Sequence, residues 1–191
     1  MSFISATPRY IIGLLALTLI ASCASPEATT YTLMAQTTRQ LSGKSVSLLI
    51  ETVDIAKYLD RPQLVRRTDG VKLGISEFER WGEPMGAMIQ RVLAENLRRR
   101  LPDGSTITTS LTTTGKEEIA LSLSIDRFDV QTDDLVVLNA QWQIHYRHGL
   151  ASLADQTSIT IRPCDATPRS QVLAMSAALD QLSSKIASRL H

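Results

Sequence analysis

Neither sign of charge dominates this sequence: 20 Lys+Arg stand against 19 Asp+Glu in 191 residues. A nucleic-acid binder carries a marked basic excess, and that class is excluded. Apolar runs are short as well. Ile11–Ile20 covers ten residues, about half of the roughly 20 that a membrane-spanning helix needs. Cysteine is scarce, with only Cys23 and Cys164, and no Cys-x-x-Cys occurs. Of three histidines, His145 and His148 sit three apart on an expected strand end. They face opposite sides there, which is poor geometry for a metal; His191 is terminal. No Gly-rich phosphate loop and no Gly-x-Ser-x-Gly elbow is present. Asp126, Asp129, Asp133 and Asp134 lack the oxygen-and-glycine pattern of a calcium loop and read as solvated turn residues. These absences point away from catalysis, a metal or a cofactor.

Residues 1–22 form a separate unit. Arg9 supplies a positive n-region, and Ile11–Ile20 has the length of a signal-peptide h-region; the alternative is a buried N-terminal helix. The run ends in Ile20-Ala21-Ser22-Cys23, which resembles the bacterial lipobox. Small residues let a peptidase approach the backbone, and the Cys23 thiol is the nucleophile that takes a diacylglyceryl group. Each buried CH₂ contributes about 0.8 kcal/mol, so several acyl chains hold a protein stably. Cleavage removes only Arg9 among the charged residues, leaving 19 of each sign. Residues 23–30 then read as a short lipidated tether. Ala24 follows the cysteine where an aspartate would favour inner-membrane retention, so the outer membrane is the expected destination. With Cys23 acylated, Cys164 has no partner within the chain; it either pairs between chains or is buried as a small hydrophobe, the commoner case.

Residues 31–191 read as one domain. Val46, Leu48 and Ile50 alternate with Ser45, Ser47 and Leu49, a strand with one face firmly apolar. Asp69-Gly70 between two alternating runs signals a hairpin. Pro84 opens a helix with an apolar stripe of Met85, Ile89, Val92, Leu93 and Leu97, and Arg98–Arg100 suit its C-terminus. Ile119–Ile125 alternates cleanly, then shifts phase to Phe128 and Val130, which implies a bulge near Asp126-Arg127. A strand through Trp142 and another through Ile159 and Ile161 complete a meander. A second helix from about Ser170 carries Val172, Met175, Leu179, Leu182, Ile186 and Leu190 on one stripe. The expected fold is a two-layer α+β domain, an antiparallel sheet packed against two amphipathic helices.

Tyr58-Leu-Asp-Arg-Pro-Gln-Leu-Val65 breaks the alternation, and Trp81 lies in Arg80-Trp-Gly-Glu-Pro84. One reading is a structural corner, with Asp60 and Arg61 bonded to backbone, Pro62 fixing the turn and Trp81 plugging the core. The other is a rigid loop pair offered to a partner, since Tyr, Trp and Arg are enriched at binding hot spots. Tyr58, Asp60, Arg61, Pro62 and Trp81 are the candidate partner-binding residues.

These blocks, with Tyr31-Thr-Leu33 before them and Arg91-Val-Leu-Ala-Glu-Asn-Leu97 after, resemble the PqiC-type, or ABC-type transport auxiliary, lipoprotein family over essentially the whole mature chain. Gly82 stands where alanine is expected. The resemblance implies a non-enzymatic periplasmic subunit of a transport system pairing an ABC permease and ATPase with an MCE-domain protein. Such systems carry phospholipid or other hydrophobic solutes between membranes. It further implies docking of the MCE component at the outer membrane, with self-association into a homo-oligomer plausible. Other readings are a stand-alone envelope lipoprotein that assists assembly or cell-wall maintenance, and a lipid-handling enzyme whose active site is not visible in the sequence.

Overall fold

A computed structural model describes residues 27–36, 40–109, 118–147 and 152–190. Residues 1–22, expected to be a signal peptide, and Cys23, His148 and His191 lie outside them. Among the described residues, eight strands form one sheet: β1 (Thr29–Tyr31), β2 (Ser47–Ile55), β3 (Gln63–Arg67), β4 (Leu73–Trp81), β5 (Thr106–Thr108), β6 (Ile119–Val130), β7 (Val136–Tyr146) and β8 (Leu153–Ile161). Helix α1 (Met85–Arg100) lies between β4 and β5, and α2 (Pro168–Ala187) closes the domain. The α+β layering is as expected. β1 already begins at Thr29, within the residues 23–30 that the sequence suggests as a tether.

The meander β6–β7–β8 is antiparallel, as the alternation predicts, with Ile125 facing Ala140 and Leu138 facing Ile159. Asp126 is the extra residue of the bulge between Ile125 and Arg127. The rest of the sheet is mixed. β2 runs parallel to β5 and β6, β3 meets β6 in parallel at Arg66–Val130, and β1 runs parallel to β4. β2 and β3 therefore follow one another along a single edge of β6, and the other edge belongs to β7.

Ile119, Leu121, Leu123 and Ile125 of β6 and Leu138, Ala140 and Ile144 of β7 are buried with both helix stripes in one core. Burial of large aliphatic side chains at about 1.5–3 kcal/mol each drives the layers together. α1 packs on β2 and α2, and α2 on β7 and β8. Pro84 is the N-cap of α1, and Thr167 caps α2 by accepting a hydrogen bond from the Ser170 amide at 3.2 Å, with Pro168 in the first turn. α2 thus starts before the expected Ser170.

Two details of the loops and helices differ from expectation. Gly70 does not adopt positive φ. The β3–β4 turn is instead organised by the Asp69 carboxylate, which accepts the amides of Val71 at 2.8 Å and Lys72 at 2.6 Å. Arg100 does not join Arg98 and Arg99 on the exposed side of α1. It turns between the helices, donating to Asp180 at 2.8 Å and Ser184 at 3.1 Å.

Candidate docking site

The Tyr58–Val65 block is a detour in a strand. β2 ends at Ile55 opposite Ile125, and the chain returns to the same edge of β6 only at Arg66 opposite Val130. Between them the chain leaves the sheet through a 3₁₀ turn, Lys57–Leu59. The bulge at Asp126 sits beside this gap, where continuous pairing has lost its register.

Three anchors hold the detour. Leu59 is buried in the core. Backbone bonds close the turn: the Leu59 amide donates to the Ala56 carbonyl at 2.9 Å, the Asp60 amide to Lys57 at 3.2 Å and the Arg61 amide to Leu59 at 2.9 Å. The third anchor is Tyr58, whose hydroxyl donates to Asp129 Oδ2 at 2.9 Å. Asp129 is fully buried, which corrects its reading as a solvated turn residue. The bulge explains the position, because Phe128 and Val130 fill the core and their alternates Arg127 and Asp129 take the other face. The carboxylate also accepts Arg67 Nη2 at 3.0 Å and Arg127 Nε at 2.9 Å. A buried charge is tolerable only with such partners. The Arg67 guanidinium lies 6.0 Å from the centre of the Tyr58 ring. Burial first, and the Asp129 charge second, push the Tyr58 hydroxyl up to about 12; the Asp129 hydrogen bond raises Arg67 further above its ordinary value.

Trp81 is 7% exposed, and its amide donates to the Pro62 carbonyl at 2.6 Å, tying β4 to the detour. The Gly82 amide donates to Tyr31 at 2.9 Å, and a Cβ at Gly82 would stand 3.2 Å from Thr30 Cγ2. Glycine thus suits the close approach of β1, where alanine would press on Thr30. Glu83 is held by Arg91, which also donates to Thr32 at 3.2 Å.

Asp60, Arg61, Pro62, Trp81, Gly82, Glu83 and Pro84 line one open groove of about 360 Å³. Four of the five candidate residues meet there, and Tyr58 stands behind it as a support. The residues read as a corner or as a presented loop thus lie together in one groove. The groove has prolines and an indole edge between charged rims of both signs, and Arg61 Nε is buried in it without a hydrogen-bond partner among the described residues. No Ser–His or Cys–His pair lines it. Sequence reasoning missed Arg67, Arg127 and Asp129; the signal was an Arg-x-Asp alternation immediately after the bulge. Cys164 is exposed in the loop after β8, which corrects the expectation that it is buried. Among the described residues, no three His, Cys, Asp or Glu side chains converge as metal ligands.

No curated protein sequence matches the chain. Crystal structures that share its fold include the following two. One, of an uncharacterized protein, has a TM-score of 0.74 at 17% identity and covers 87% of this chain and 100% of its own. The other, from Xanthomonas campestris, has a TM-score of 0.73 at 13% identity and covers 85% of this chain and 95% of its own. The family model described as the ABC-type transport auxiliary lipoprotein component matches residues 31–187. With β2 to β8, the detour groove and both helices inside that match, the chain belongs to the ABC-type transport auxiliary lipoprotein family.

Proposed function

We propose that this chain is a non-catalytic, lipid-anchored docking subunit of an MCE-type ABC system that moves phospholipid or another hydrophobic solute across the envelope. Lipid on Cys23 holds it to the periplasmic face of the outer membrane, and the groove of Asp60, Arg61, Pro62 and Trp81 receives the MCE-domain protein. The observation that carries the reading is the groove itself. A buried ion cluster and the Pro62–Trp81 backbone tie make it rigid, and rigidity lowers the ordering cost of binding. It also lies at the end of the β3–β4 hairpin away from the turn, on the side opposite the chain's entry into β1. A bilayer at the entry end leaves the groove facing the periplasm.

The test is co-purification of the native lipidated protein from crosslinked envelopes, beside Arg61→Glu. An MCE-domain protein with the native chain and a much-reduced yield with the variant are expected. If MCE proteins are present in the envelope but absent from both preparations, the reading fails and a stand-alone envelope lipoprotein replaces it.

A further inference from the structure

The hairpin turn at the other end of β3 and β4 exposes apolar side chains. Val71, at the tip, is 92% exposed; Ile75 and Phe78, further along β4, are 50% and 42% exposed. Single exposed hydrophobes are ordinary on a protein surface. Here three lie on one projecting element, and the topology connects that element to the anchor.

β1 runs parallel to β4, with Thr29 opposite Glu79 and Tyr31 opposite Trp81. The chain therefore enters the sheet from the hairpin side, and Phe78 is the next β4 residue below the first paired position. Cys23 precedes Thr29 by six residues, so it lies at most about 20 Å from that point. From Arg80 to Leu73 the hairpin runs in the same direction beside only four steps of β3, Gln63 to Arg67, about 13 Å at the rise of a strand, and Val71 lies beyond Leu73 in the turn. A tether with slack brings the tip to the depth of the acylated cysteine or below it. The exposed cations at this end of the domain, Lys72, Arg162 and Arg169, are matched by Asp69, Asp133 and Asp165. Attraction to anionic headgroups is therefore not the driving contribution; apolar insertion is.

We infer that the β3–β4 hairpin is a second membrane contact: Val71 enters the interface of the bilayer that holds the Cys23 lipid, with Ile75 and Phe78 following. This orients the domain with the Asp60–Trp81 groove away from the membrane. The inference rests on the proposed lipidation of Cys23 and goes beyond it in assigning the contacting surface.

The experiment uses the full-length lipidated protein with Cys164→Ser, reconstituted into vesicles of phosphatidylethanolamine and phosphatidylglycerol. Val71→Cys carries an environment-sensitive fluorophore, and Asp103→Cys, at the opposite end of the sheet beside β5, serves as control. Ile75→Cys is the second reporter. The expected result is blue-shifted emission at 71 and 75, largely lost when brominated phospholipid is included and little changed at high salt, with position 103 behaving as in water. If the protein floats with vesicles while the labels at 71 and 75 remain water-like, the hairpin contact is overturned and the anchor stands. If mass spectrometry finds no acyl chains on Cys23 and the protein does not float, the anchor fails and the hairpin inference falls with it.

Discussion

Asp129→Asn is a perturbation with a large expected consequence, because it removes the one carboxylate from a largely buried cluster. The Asp129 side chain is 0% exposed, and its arginine partners are only 21% and 24% exposed. Loss of the carboxylate leaves Arg67 and Arg127 facing each other without a counter-charge. The asparagine amide can still accept one of the three donors now served, Tyr58, Arg67 and Arg127, but it directs an N–H₂ group at the others. Removing one partner of a buried pair costs about 3–5 kcal/mol. The arginines retain some solvent, which places this variant near the lower end, about 3 kcal/mol. Against a total of roughly 5–15 kcal/mol that is a large share, and at about 2–4 °C per kcal/mol the midpoint should fall by about 6–12 °C. Asp134→Asn is the matched control, because its pair with Arg66 is 40% exposed on both sides and should contribute roughly 0–1 kcal/mol. Urea and thermal denaturation of both variants decide the matter. The reasoning is refuted if the two destabilisations agree to within about 0.5 kcal/mol. Asp129→Asn should also weaken capture of the partner at temperatures where it remains folded, since Tyr58 then no longer braces the detour.

Further outcomes follow from the same contacts. Tyr58→Phe removes the hydroxyl bonded to Asp129 and should cost about 1–2 kcal/mol at neutral pH, read by urea titration. Because the Tyr58 hydroxyl is pushed up to about 12 from an ordinary 10.0, its contribution is complete below pH 10 and lost as pH rises toward 12. The native domain should therefore weaken over that window by more than Tyr58→Phe does. Trp81→Ala should cost about 3–5 kcal/mol by opening a core cavity; Arg61→Glu should stay within about 0.5 kcal/mol of the native stability while losing the partner. Asp180→Ala should cost about 3 kcal/mol by stranding Arg100 between the helices, and the pair Arg100→Met with Asp180→Leu should recover most of it.

The sequence shows the layers of this fold better than their wiring. Ile119–Ile125 and the stripes of α1 and α2 are local periodicities, and they predicted burial residue by residue. The parallel pairings were not legible, because alternation in β2 or β3 says which face is buried and nothing about the neighbour across the edge. The Asp-Gly hairpin was found for a partly mistaken reason, since the Asp69 carboxylate organises the turn and Gly70 keeps an ordinary φ. Asp129 and Arg100 were misplaced by the same habit of assigning charge to solvent; each is buried because its partner lies far along the chain, Arg67 for the first and Asp180 for the second. The candidate site was legible as a pair of odd blocks, Tyr58–Val65 and Arg80–Pro84. That they form one groove depends on the backbone tie from Trp81 to Pro62, which no local pattern carries.

The most direct measurement replaces Arg61 with a photo-crosslinking residue in the native, lipidated protein and irradiates intact cells. Crosslinking from position 61 to an MCE-domain protein, with none from position 103 at the opposite end of the sheet, is the predicted result. Adducts at 61 that contain only other envelope proteins, in cells where the MCE protein is abundant, would contradict it.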